Sequence, residues 1–113
     1  MPMIQMKLAG SVPQEQRSIL AAELGKAVGI LGKPESYLML NFEDNQDLYF
    51  AGRKLDKGAY VSVQLFGEAD GGASAKMTAK ICGLLGSVLG IPADAVYVSY
   101  WGTRNWGWNG GNF

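Results

Sequence analysis

The residues able to do chemistry in this chain are few, and the first is Pro2, directly after Met1. A proline in second position is small enough that removal of the initiator methionine is expected, which would leave Pro2 with a free secondary amine. An α-amino group has an ordinary pKa of about 7.7–8.0, well below that of lysine. Burial or a neighbouring positive charge lowers it further. Such an amine is uncharged near neutral pH and suited to taking a proton from carbon beside a carbonyl. Met-Pro openings also arise as plain processing outcomes, so the dipeptide needs support from the rest of the chain.

The absences narrow the chemistry. There is no histidine, which removes Ser-His-Asp and Cys-His nucleophilic sites and most zinc sites. Cys82 is the only cysteine, so neither an intrachain disulfide nor a Cys-x-x-Cys pair can form. It falls in an apolar helical pattern and is expected in the core. Ten basic and ten acidic residues cancel, so the electrostatic footprint of a nucleic-acid binder or a membrane-surface protein is missing. No metal or cofactor is implied. No signal peptide is expected and no apolar run approaches the length of a membrane span. A cytoplasmic protein is expected, with export only by a route that uses no signal peptide. The 113 residues, 48% of them apolar, suit a single globular domain over residues 1–113 that gains from oligomerisation.

The elements that must carry Pro2 are then legible. Met3 to Leu8 alternates as a strand. Ser11 and Gln14 have the spacing of a capping box with Pro13 in the first turn, so a helix is expected to follow. Its stripe is Leu20, Leu24, Ala27, Val28 and Leu31, and Gly32 is placed to cap it. Tyr37 to Phe42 reads as a second strand with Leu38, Leu40 and Phe42 on one face. Glu43 to Asp47 reads as a solvated turn, Leu48 to Ala51 as a short extended piece, and Gly52 to Gly58 as an exposed loop. Ala59 to Phe66 is a third strand and Gly67 to Gly72 a glycine-rich loop. Ala73 to Leu89 is a helix with the stripe Met77, Ile81, Leu84, Leu85 and Val88, and a last strand runs from Val96 to Trp101.

The second half repeats the first. The two helical stripes have identical intervals, Leu89-Gly90-Ile91-Pro92 answers Leu31-Gly32-Lys33-Pro34, and Val63-Gln64-Leu65 answers Ile4-Gln5-Met6. The fold class expected is α/β in the α+β sense: two fused β-α-β units, a four-stranded sheet and both helices on one face. The repeat also isolates Lys33, which stands where the second copy has Ile91. A lysine past a helix end complements the helix C-terminus; alternatively it is a fixed cation beside the N-terminal strand. The tail from Gly102 to Phe113 holds Trp106, Trp108 and Phe113 among glycines, and aromatics so dense are expected to be buried against something, a neighbouring subunit being one surface.

These residues together resemble the macrophage migration inhibitory factor family of the tautomerase superfamily. The resemblance rests on Met1-Pro2-Met3, Leu31-Gly32-Lys33-Pro34, Phe66-Gly67, Cys82-Gly83-Leu84-Leu85, Ile91 to Tyr97 and Gly107 to Phe113, in that order and over essentially the whole chain. It implies a homotrimer whose sheets line a central barrel, and a keto–enol tautomerase acting on phenylpyruvate-like aromatic α-keto acids. The Pro2 amine would be the general base. Lys33 would bind the substrate carboxylate and help keep that amine neutral, and the backbone N–H of Phe66 would contact substrate. Tyr97 from the adjacent subunit would hydrogen-bond the aromatic end, while Tyr37, Trp106 and Phe113 would form walls.

The sequence departs from the family in three places. Ser99 stands where mammalian members carry a substrate-contacting asparagine. Trp106 and Phe66 replace smaller aliphatic residues, which reshapes the pocket against bulkier substrates such as dopachrome. The family's Cys-x-x-Cys aligns with Gly58-Ala59-Tyr60-Val61, so its redox activity is not expected. The alternative function is a cytokine-like or receptor-binding protein with vestigial tautomerase activity. A ferredoxin-like RNA binder fits the strand–helix order but not the zero net charge or the missing aromatic RNA-binding motif.

Overall fold

The computed structural model describes residues 1–113. Strand β1 (Pro2–Leu8) leads through helix α1 (Gln14–Ala27) to β2 (Met39–Glu43). A hairpin of β3 (Tyr49–Phe50) and β4 (Arg53–Lys54) follows, then β5 (Ala59–Phe66), helix α2 (Gly71–Leu89) and β6 (Val96–Thr103). A second hairpin of β7 (Gly107–Trp108) and β8 (Gly111–Asn112) closes the chain. The main sheet has the order β2-β1-β5-β6. β1 is parallel to β2, β5 is parallel to β6, and the two halves meet antiparallel at β1 and β5. Ile4 pairs directly with Val63, its own counterpart in the repeat, so the pseudo-two-fold axis passes through that pair.

Alternation along β1 and β5 sends Ile4, Met6, Leu8, Ala59, Val61, Val63 and Leu65 to one buried face. There they meet Leu20, Leu24, Ala27 and Val28 from the first helical segment and Met77, Ile81, Leu84 and Leu85 from α2. Fully burying each large aliphatic side chain contributes about 1.5–3 kcal/mol, so the expected stripes supply the main stabilisation. Leu38, Leu40 and Phe42 pack against the same core from one face of the β2 segment. No helix is long and apolar enough to cross a membrane.

Several local expectations are corrected. No Ser11–Gln14 capping box forms: Pro13 is the N-cap, extended at φ −61° and ψ 155°, with no side-chain cap bond. Proline biases the residue before it away from helical geometry, and the Val12 N–H is held instead by Asp44 Oδ2 at 2.9 Å. Asp44 is therefore no part of a freely solvated turn; it also pairs with Arg17 Nη2 at 3.0 Å. Helix α1 tightens into a 3-10 turn over Val28–Leu31 before Gly32, left-handed at φ 70°, ends it. Gly90 ends α2 in the same way at φ 69°, so the two glycines of the repeat do one job, where a Cβ would be strained.

Tyr37 is not in a strand. Pro34 starts a 3-10 turn over Glu35–Tyr37, and β2 begins only at Met39. The stretch 52–58 contains β4 rather than plain loop, because Ala51 and Gly52 both take positive φ and make a tight reversal between β3 and β4. Helix α2 starts at Gly71, two residues earlier than the apolar pattern suggests, because Asp70 Oδ2 accepts the Ala73 N–H at 2.8 Å. Cys82 is half-buried and free, outside the core.

Candidate active site

Pro2 is the first residue of β1 and is buried. Its register partner is Leu65 of the central neighbour β5, so its position is fixed by the best-packed part of the sheet. Beyond it the ladder continues for one further bond, from the Phe66 N–H to the Met1 carbonyl at 3.1 Å. The Phe66 carbonyl accepts from Lys33 Nζ at 2.8 Å. Lys33 reaches it because Gly32 turns the chain at the end of the first helical segment, and the Lys33 N–H in turn bonds the Val28 carbonyl at 3.2 Å. Both expectations for Lys33 thus meet in one geometry: it sits past a helix end, and its ammonium is fixed beside the N-terminal strand.

The electrostatics follow. The Met1 ammonium titrates below its ordinary value of 8.0, first because burial strips it of water and second because the Lys33 charge disfavours a neighbouring cation. An amine at this end of β1 is pushed toward its neutral form.

A cavity of about 540 Å³ opens at the same end of the sheet, within the range of about 300–1,000 Å³ usual for small-molecule sites. Pro2, Met1 and Met3 line it with Gln64, Met39 and Leu38; Ser36 and Tyr37 come from the 3-10 turn, and Asn105 to Trp108 from the tail. The turn that takes Tyr37 out of the strand is what aims it here. Its ring stands edge-on to Trp108, centroids 5.5 Å apart. The tail is ordered because Asn109 and Gly110 both take positive φ, the mirror-image turn that a two-residue hairpin requires. With the tail so ordered, Trp106, Gly107 and Trp108 line the cavity together with Pro2.

Of the residues expected at the site, Pro2, Tyr37 and Trp106 line the cavity. Lys33 and Phe66 stand beside it, joined by their hydrogen bond. Phe113 does not line this chain's cavity; its ring packs edge-on against Phe66 at 5.5 Å, and its N–H bonds the Trp106 carbonyl at 3.1 Å. Tyr97 and Ser99 lie away from this chain's cavity. Tyr97 pairs in register with Tyr60, toward the opposite end of the sheet, and packs edge-on against Phe50, centroids 5.4 Å apart. Ser99 Oγ shares a 2.8 Å bond with Tyr60 and accepts from Trp101 Nε1 at 3.2 Å. Trp108, Gln64 and Asn105 are cavity residues that sequence reasoning missed. Asn109-Gly110 signals the hairpin that orders this tail, but not which of its rings face the cavity.

The family model for macrophage migration inhibitory factor (MIF) matches residues 1–113. The chain is 34% identical over 105 residues to the macrophage migration inhibitory factor of Xenopus laevis, covering 91% of this chain and 88% of that protein. The crystal structure of Leishmania major MIF2 superposes with a TM-score of 0.93 at 36% identity, covering 100% of this chain and 97% of that one. The homologue from Prochlorococcus marinus gives a TM-score of 0.86 at 32% identity over 98% of both chains. By the matched family model, the identity to its relatives and the shared fold, this chain belongs to the macrophage migration inhibitory factor family.

Proposed function

We propose that the protein is a keto–enol tautomerase for phenylpyruvate-like aromatic α-keto acids, with the Pro2 amine as base once no residue precedes it. The observation that carries this reading is the environment at the end of β1. A buried Pro2 opens onto an aromatic cavity beside Lys33, at an end of β1 where burial first and the Lys33 charge second hold the Met1 amine below its ordinary value. A neutral secondary amine takes a proton from the carbon next to the keto group and returns it to oxygen, or the reverse; no net charge or cofactor is consumed. Such proton transfer contributes about 10²–10⁴-fold. Lys33 has donors left after its bond to Phe66 and takes the substrate carboxylate, while Tyr37, Trp106 and Trp108 enclose the ring.

The assembly that completes the site is a trimer. Tyr97 and Ser99 then reach a neighbouring copy's cavity from the open face of the sheet, where Tyr97 is exposed. Trp106 beside Pro2 narrows the cavity and favours phenylpyruvate over the bulkier dopachrome. The test is phenylpyruvate tautomerisation by untagged protein whose first residue is fixed by intact mass. Turnover by chains beginning at Pro2, and none by chains keeping Met1, is expected; inactivity of the Pro2 form rejects the reading. The curated relatives are named as inhibitors of macrophage migration, which favours a second reading, a signalling protein, and this would hold if an effect on macrophage migration survived loss of turnover.

A further inference from the structure

A chain of side-chain hydrogen bonds crosses the open face of the sheet at β6. Trp101 Nε1 donates to Ser99 Oγ at 3.2 Å, and Ser99 Oγ shares a 2.8 Å bond with the Tyr60 hydroxyl. Alternation along β5 and β6 puts all three side chains on that face, where register pairs Tyr60 with Tyr97 and Ser62 with Ser99. Tyr60 therefore meets Ser99 on the diagonal, a reach that aromatic side chains make and short ones do not. Counting protons decides what this chain offers a ligand. An indole N–H only donates, so it uses one lone pair of Ser99 Oγ. If Tyr60 donates to Ser99, the serine proton is left free; if Ser99 donates to Tyr60, the tyrosine proton is. Either way the two hydroxyls keep one donor and at least one lone pair between them. The ionised side chains in the Tyr60 row, Lys7 and Glu43, pair with each other at 3.7 Å, so what the two hydroxyls present is neutral.

We infer that Tyr60 is a specificity-determining residue: through Ser99 it sets a neutral donor–acceptor pair at the ring end of a neighbouring copy's cavity, selecting aromatic α-keto acids with a ring hydroxyl over unsubstituted ones. A phenol both donates and accepts, so it meets both halves of the pair. A bare ring leaves them without partners once water is excluded, which is the costly case. Serine by itself is a free rotor; Tyr60 and Trp101 fix its oxygen, and Tyr60 is thus a positioning residue that acts through Ser99. The inference rests on the tautomerase and trimer reading for where the pair is presented, but not for the hydrogen-bond chain itself.

The experiment measures the affinity of the full chain for benzoylformate and for 4-hydroxybenzoylformate by calorimetry at about pH 6, below the titration of the phenol. Neither acid has an enolisable hydrogen, so binding is read without turnover, and phenylpyruvate turnover by the same sample tests the enzymatic reading separately. The parent protein should prefer the hydroxylated acid roughly 3–10-fold, the worth of one neutral hydrogen bond, and Tyr60→Phe should bring the two affinities level. Ser99→Ala added to Tyr60→Phe should change that ratio no further. Ser99→Asn added instead should restore the preference, because an amide carries its own donor and acceptor. In turnover, the preference for 4-hydroxyphenylpyruvate over phenylpyruvate should lie in KM and not in kcat, since the ring hydroxyl is remote from the reacting carbon. A parent protein without the preference, or a preference that survives Tyr60→Phe, overturns the inference. So does joint loss of both ligands with dissociation of the trimer in Tyr60→Phe, which would make Tyr60 a support of the interface only. The expected binding ratios without any phenylpyruvate turnover would leave the pair standing and reject the enzymatic reading alone.

Discussion

At the scale of single residues, the site depends on Lys33 doing two things with one ammonium. It holds the Phe66 carbonyl at 2.8 Å, and its charge adds to the larger effect of burial in lowering the pKa of the Met1 amine just before β1. Replacing Lys33 by alanine should therefore raise KM for phenylpyruvate by roughly 10–100-fold, the worth of a hydrogen bond to a charged group. It should also move the acid limb of the pH–rate profile to higher pH, since the base regains a more ordinary pKa and stays protonated longer. Lys33→Arg should restore part of the affinity. Steady-state kinetics across pH checks all three, and an unchanged KM would remove Lys33 from substrate binding. Lys33 was conspicuous in the sequence because its counterpart in the repeat is Ile91. Trp108 was not, because nothing in a glycine-rich aromatic tail says which rings turn inward.

At the scale of elements, what holds the entry to α1 is a contact across the fold. Asp44 Oδ2, at the end of β2, accepts the Val12 N–H and pairs with Arg17, whose Nε donates to the Val12 carbonyl at 2.9 Å. The hydrogen bond from Val12, then that from Arg17, holds the Asp44 carboxyl below its ordinary value of 3.8. A carboxylate whose folded pKa is depressed stabilises the fold above its unfolded pKa and loses that effect as pH falls through the folded value. Asp44→Asn should lower the melting temperature at neutral pH, and the gap to the parent protein should shrink as pH drops below about 3.8. Melting curves at pH 7 and pH 3 check this. A gap that persisted undiminished would mean the carboxylate charge is not the stabilising agent. The sequence offered a local cap, Ser11 with Gln14, and the fold chose a remote one, because Pro13 bars the local geometry.

At the scale of the whole molecule, the helices cover one face of the sheet and leave the other open. Register places Met39, Met3, Gln64 and Trp101 in one row across that face, Asn41, Gln5, Ser62 and Ser99 in the next, and Glu43, Lys7, Tyr60 and Tyr97 in the third. Met39, Trp101 and Tyr97 are each at least 60% exposed there, and β2 and β6 are unpaired edges. Unpaired edges and exposed large side chains are what self-assembly covers. Light scattering should give three times the 12.1 kDa chain mass, and a stable monomer would leave Tyr97 and Ser99 without a site to serve.

The sequence by itself determined the two β-α-β units, their buried stripes, the glycine ends of both helical segments and the pairing of Pro2 with Lys33 as groups worth attention. Those features rest on local periodicity and on the repeat, which are properties of neighbours along the chain. The tertiary structure decided the rest. It turned Tyr37 out of its strand, set Trp106 and Trp108 around the cavity with Pro2, sent Phe113 against Phe66, and joined Phe66 to both Met1 and Lys33. Each is a contact between residues far apart in sequence, set by sheet register and chain reversal, and no stretch of neighbouring residues carries that information.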